Sequence, residues 1–102
     1  MQAKTLLQLI RENKSPVVVD VRSGGEFSSG HIPGAVHVPA WKIALRIGNL
    51  PKEKDCQLVV TCECGPRAQA AKGLLSGAGY HNVELLDGHM SGWRSAGLPV
   101  EK

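Results

Sequence analysis

Aromatic side chains are scarce. One Phe, one Tyr and two Trp make up 4% of the 102 residues, so the core is expected to be aliphatic, built from Val, Ile, Leu and Ala. Long apolar runs are missing too. None reaches the roughly 18 residues that a membrane helix needs. No hydrophobic segment ending at a small-residue cleavage site follows Met1-Gln2-Ala3-Lys4. These absences point to a cytoplasmic protein with no membrane partner. Blocks of one charge are also lacking. The net charge is +3, but Lys4, Arg11, Lys14, Arg22, Lys42, Arg46, Lys52 and Lys54 are scattered and no aromatics are interleaved with them. A nucleic-acid partner is therefore not expected, although a weak positive field favours small anions. The three cysteines, Cys56, Cys62 and Cys64, are odd in number and crowded together, which excludes a disulfide framework. In a reducing compartment such a cluster is catalytic, metal-binding or incidental.

What is present is the composition of a globular domain, with 42% hydrophobic and 21% charged residues. The length suits one domain, residues 1–102, with no repeat, linker or low-complexity run. Apolar residues at 6, 7, 9 and 10 predict a helix over Thr5–Asn13, ended by Pro16. The β-branched run Val17–Val21 suits a strand covered on both faces. A short helix over Ser23–Ser29, a turn at Gly30–Gly34, a strand at Ala35–Val38 and a helix over Ala40–Gly48 follow. Gln57–Thr61 is a second buried-strand pattern. Beyond a tight loop at Cys62–Pro66 comes a helix over Arg67–Ser76, with Ala68, Ala71, Leu74 and Leu75 on one face. A strand at Val83–Leu86 and a helix over Gly88–Ala96 complete the chain. Strands alternating with helices predict an α/β fold with a parallel sheet and helices on both faces.

Ligands of open parallel sheets bind beyond the carboxyl ends of the strands, and Cys62 lies there. The helix that follows contributes about half a positive charge at its N-terminus, and Arg67 adds a full one. Pro66 fits the first helical turn, and Gly65 permits backbone angles that a side chain would block. Loop amides and Arg67 should favour a thiolate at Cys62 and hold an oxyanion beside it. The bland alternative is that Cys62 is a small buried hydrophobe.

The segment Cys62-Glu63-Cys64-Gly65-Pro66-Arg67 resembles the active-site loop of the rhodanese family, Cys-x-x-Gly-x-Arg. Asp20-Val21-Arg22, Glu26-Phe27, Gly30-His31-Ile32 and Gly34-Ala35 are similar to the family's first signature. Leu86-Asp87-Gly88, Trp93 and Gly97-Leu98-Pro99-Val100 are similar to its C-terminal one. The resemblance spans nearly the whole chain in order and spacing. It implies a sheet of about five parallel strands flanked by helices. It also implies a sulfurtransferase without a cofactor. In that reading Cys62 takes sulfane sulfur from thiosulfate, polysulfide or a protein persulfide, carries it as a persulfide and passes it to a thiol or cyanide. Arg67 stabilises the anion, and Glu63, Cys64, Gly65, Pro66 and Ala68 form the substrate loop.

Other candidates have structural and functional readings side by side. Arg22 and Glu26, spaced i, i+4, suggest an ion pair, and Asp20 suggests a structural bond to backbone or Arg22. His31 suits a loop-fixing hydrogen bond better than base catalysis. Trp93 and Met90 suit the core, and Trp41 suits either packing or the pocket mouth. Cys64 is either a tolerant loop position or a resolving thiol. Cys56 reads as incidental. A zinc site from the three cysteines with His81 or His89 lacks the usual Cys-x-x-Cys pair. The chain departs from the family pattern at three places. Glu63 brings negative charge into the loop, Ala68 stands where Ser is frequent, and His89 stands where a second Gly is common. These departures weigh against thiosulfate as the donor. Two rival functions remain open. One is a related cysteine phosphatase or arsenate reductase, where the phosphatases resemble Cys-x₅-Arg, one residue longer than the spacing here. The other is a non-catalytic binding module.

Overall fold

The β-branched runs lie side by side at the centre of a four-stranded sheet, where both of their faces are covered. In the computed structural model, which describes residues Met1–Lys102, β1 (Val17–Asp20), β2 (Val36–His37), β3 (Leu58–Thr61) and β4 (Val83–Leu85) are ordered β2-β1-β3-β4. All pairs are parallel, with Val19 opposite Val36 and Val60. Alternation along the strands divides the core into two layers. Val18 and Val59 pack with Leu6 and Leu7 of α1 (Ala3–Arg11) and Met90 and Trp93 of α5 (His89–Ser95). Val19, Leu58 and Val60 pack on the other side with Ile43 of α3 (Ala40–Ala44) and Ala68, Ala71 and Leu75 of α4 (Pro66–Gly77). The short α2 (Gly24–Ser29) follows β1.

The α/β architecture with helices on both faces is thus as the sequence implies. The sheet holds four strands where about five were expected, and the chain end adds only an isolated antiparallel bridge between His31 and Glu101. Helix α1 begins two residues earlier than its apolar periodicity suggests and ends before Asn13, which takes a left-handed φ of 57°. Helix α3 stops at Ala44 rather than running to Gly48. Arg46 adopts a left-handed φ of 58°, and the Ile47 amide turns back to the Lys42 carbonyl at 2.9 Å. Gly48 is then required, because a Cβ there would sit 2.9 Å from Val38 Cγ1.

One expected core position, Leu74, is on the surface, as is Trp41, read as packing or pocket mouth. Leu74 is 38% exposed while its neighbour Leu75 is fully buried, because the buried stripe of α4 runs through Ala68, Ala71 and Leu75. Trp41 is 58% exposed on the short α3, which buries only Ile43. Trp93 and Met90 are in the core as expected, and Trp93 Nε1 donates to the Pro99 carbonyl at 2.8 Å.

The adjacent leucines provide a test of this layering. Leu75→Ala is expected to lower the unfolding free energy by about 2–5 kcal/mol. Leu74→Ala should stay within about 0.5 kcal/mol of the parent. Chemical denaturation measures both, and equal losses would contradict the observed face of α4.

Candidate active site

The chain moves from β1 to β2 on one side and then crosses back to β3 on the other, so strand order switches between β1 and β3. Such a switch point opens a crevice at the carboxyl ends of the strands. Asp20 closes β1 there, and Cys62 follows β3 directly.

Two amides of the first turn of α5 hold the Cys62 loop. Met90 N–H donates to the Cys62 carbonyl and Ser91 N–H to the Glu63 carbonyl, both at 3.0 Å. No peptide bond is cis. In a trans peptide the N–H points opposite to its carbonyl, so the amides of Glu63 and Cys64 face away from α5. Those two amides, and the Arg67 and Ala68 amides at the start of α4, have no acceptor within the protein. The Gly65 amide donates to Cys62 Sγ at 3.0 Å. Pro66 occupies the first turn of α4, and Gly65 precedes it at φ 128°, a backbone few other residues adopt. Free amides, a helix N-terminus and a thiol thus share one loop, an arrangement suited to binding an anion. Cys62 itself is only 1% exposed. Its sulfur combines burial against the α4 layer with a main-chain donor.

The charged side chains around the loop are paired differently from the sequence expectation. Arg22 does not pair with Glu26. Its guanidinium is buried against Asp20, with Nη2 2.8 Å from Oδ2 and Nε 3.0 Å from both carboxylate oxygens, and Nη2 also donates to the Gly30 carbonyl at 2.8 Å. Asp20, two residues upstream at a fully buried strand end, takes Arg22 before Glu26 can. Glu26 instead completes a capping box with Ser23 and accepts a bidentate pair from Arg67 at 2.7 and 2.9 Å. Arg67, expected to stabilise the anion at Cys62, is instead paired with Glu26 on a half-exposed surface. The guanidinium holds the Glu26 carboxyl down to about 2, and Glu26 raises Arg67 in turn. Glu63 carries its charge out of the loop to Arg94 and to Arg22 Nη1, the latter at 3.5 Å.

The remaining candidates separate clearly. His31 fixes the turn, with Nδ1 2.8 Å from the Phe27 carbonyl and its ring stacked on Phe27 at 3.7 Å. His89 packs on the Cys62 loop, and its Nδ1 accepts the Cys62 amide at 3.4 Å. Burial holds its imidazole below the ordinary value, opposed in part by Asp87. Cys64 is exposed, and Ala68 is buried beneath the loop. Cys56 lies ahead of β3, and His81 pairs with Asp55 on the surface. These side chains do not assemble into a metal cluster. Arg94 and His37, whose Nε2 lies 2.7 Å from the Arg22 carbonyl, escaped the sequence reading. Their contacts span 31 and 15 positions and carry no local signal.

A buried thiol at the switch point of a parallel sheet, in an amide-lined loop opening a helix, makes a candidate anion site on an α/β scaffold. The chain belongs to the rhodanese-like family: the family model for the Rhodanese-like domain matches residues 2–96. It is 31% identical over 100 residues to a protein named Sulfurtransferase from Allochromatium vinosum, covering 98% of this chain and 92% of that one. It is 39% identical over 85 residues to the thiosulfate sulfurtransferase GlpE of Shewanella oneidensis, covering 83% and 82%. The crystal structure of the Alr3790 protein from Anabaena superposes with a TM-score of 0.84 at 28% identity, covering 99% of this chain and 81% of that one.

The Glu26–Arg67 pair gives a pH prediction. The folded-state value of Glu26 is depressed from 4.5 to about 2. Its contribution is therefore present above pH 4.5 and lost as pH falls toward 2. Because Arg67 is nearly half exposed, solvent limits it to about 1 kcal/mol or less. Wild type should be slightly more stable than Glu26→Gln at pH 6, and thermal unfolding should show the gap closing toward pH 2. A gap constant over that range would contradict the pairing.

Proposed function

We propose that this chain, a single rhodanese-like domain over residues 1–102, is a cytoplasmic sulfurtransferase whose Cys62 carries sulfane sulfur as a persulfide. The observation that carries the reading is the contact of the Gly65 amide with Cys62 Sγ inside a loop of otherwise unpartnered amides. Fixed main-chain dipoles stabilise the charge on the sulfur without reorganising during the reaction. In the loading step the Cys62 thiolate attacks the outer sulfur of a donor. The donor S–S bond breaks, its electron pair leaves on sulfite or a thiolate, and a new S–S bond forms at Cys62. Transfer to cyanide, a small thiol or an acceptor protein regenerates the thiolate. Dividing one transfer into two easier steps is the usual gain from a covalent intermediate. Arg67, paired with Glu26, flanks the loop, and the amides of Glu63, Cys64, Gly65, Arg67 and Ala68 line the substrate position. The names of the relatives support this class. The spacing from Cys62 to Arg67 is one residue shorter than in the related phosphatases, which weighs against phosphoryl transfer.

Exposure of the intact protein to a sulfane donor should add about 32 Da, one sulfur atom, to Cys62. Cyanide should remove the increment, and Cys62→Ser should never acquire it. Mass spectrometry reads all three, and failure of thiosulfate, polysulfide and glutathione persulfide alike to load the protein would end the proposal.

Cys64 stands two residues from Cys62 on the exposed side of the loop, the placement of a resolving thiol. Its attack on the inner sulfur of the Cys62 persulfide would give a Cys62–Cys64 disulfide and release hydrogen sulfide. Cys64→Ser is expected to keep cyanide-dependent transfer and to lose persulfide more slowly in the absence of acceptor. Unchanged sulfide release from the loaded variant would rule the resolving role out.

A further inference from the structure

His89 is the side chain around the loop whose presence is hardest to explain as packing. Its backbone is left-handed, with φ 52°, a conformation that favours glycine and that other residues adopt at some cost. The ring is largely buried. It lies directly on the loop, because a Cβ built on Gly65 would stand 3.4 Å from His89 Nε2. Gly65 is also the residue whose amide holds Cys62 Sγ. One imidazole therefore accepts from the Cys62 amide and fills the space beside Gly65.

The hydrogen bonding fixes its tautomer. The Cys62 amide can only donate, so Nδ1 must accept and carries no proton. In the neutral ring the proton is then on Nε2. That nitrogen has no partner within the protein and is not among the buried orphan atoms, so it is a donor open to the surface beside the loop. Burial of the ring keeps the neutral form in place near pH 7.

Resting on the sulfurtransferase reading above, we propose that His89 sets donor specificity, roofing the Cys62 loop so that it accepts a slender hydropersulfide or polysulfide chain in preference to thiosulfate. Two physical consequences of the ring support this. First, it occupies space beside Gly65 that a glycine at position 89 would leave open, next to a Cys62 that is already only 1% exposed. The tetrahedral sulfonate of thiosulfate needs that space, whereas the two-coordinate sulfur of a chain does not. Second, it offers a single N–H, which suits one anionic sulfur better than the three oxygens of a sulfonate. The positive charges that would otherwise attract a dianion are already engaged, Arg67 by Glu26 and Arg94 by Glu63. The favoured step is R–S–SH plus the Cys62 thiolate giving R–S⁻ and the Cys62 persulfide. One S–S bond breaks and one forms, with no net oxidation.

Two variants separate this role from simple support of the loop. His89→Gly removes the ring at a backbone conformation glycine accepts readily. His89→Asn also tolerates the left-handed backbone. Its Oδ1 replaces Nδ1 as acceptor for the Cys62 amide, yet it lacks the outer part of the ring. The experiment measures kcat/KM for thiosulfate and for glutathione persulfide with cyanide as acceptor, with Cys62 loading followed by intact mass. Both variants should raise the thiosulfate-to-persulfide ratio by roughly tenfold or more, the scale on which a pocket group discriminates. A ratio within about twofold of wild type in His89→Asn would overturn the proposal, as would a parallel fall for both donors, which is the signature of lost loop support. If wild type is loaded by neither donor, the sulfurtransferase reading fails and takes this inference with it.

Discussion

The buried Asp20–Arg22 pair is the contact on which the site depends. A guanidinium 2% exposed is tolerable only where its donors are satisfied. Here Asp20 takes it from one side, the Gly30 carbonyl from another, and Glu63 approaches from the Cys62 loop. One side chain therefore ties the end of β1 to the turn after α2 and to the segment that follows β3. Removing either partner would leave an uncompensated charge in the interior, a situation that typically costs about 3–5 kcal/mol. The geometry at Cys62 is thus inherited from a neighbouring strand as much as from its own loop.

Around that anchor, the formal charges cancel in pairs before any ligand arrives. Glu26 holds Arg67, and Arg94 holds Glu63. What faces the crevice is then a set of peptide dipoles, arranged because α5 pulls the Cys62 and Glu63 carbonyls to its own amides. Dipoles held by secondary structure do not relax when charge develops, whereas mobile surface cations do. Selection of a substrate by such a site depends on shape and on hydrogen-bond direction more than on total charge.

Much of this was legible in the sequence because the signals were local. The β-branched runs at 17–21 and 57–61 declared central strands, and the Cys62–Arg67 spacing with Pro66 and Gly65 declared a loop opening a helix. The errors share one origin, which is that pairing in space overrides spacing along the chain. Arg22 and Glu26 have helical spacing, but α2 begins only after Arg22, and Asp20 was both nearer and buried. Leu74 fits the apolar pattern of α4 as well as Leu75 does, yet only one of them points at the sheet. The early end of α3 rests on left-handed Arg46, a residue type that gives no warning of it. Arg94 meets Glu63 across 31 positions, beyond the reach of any periodicity.

The depth of Cys62 bears on how sulfur transfer would proceed at such a site. At 1% exposure the free thiol is shielded from bulky partners, a conflict with the proposed handing of sulfur to a protein. Loading resolves the conflict. A persulfide would extend the side chain by one S–S bond, about 2 Å. On the proposed reading the reacting atom would be the outer sulfur, while Sγ keeps the Gly65 amide. On the proposed reading, the same depth that shields the free thiol would make the loaded form the one an acceptor meets.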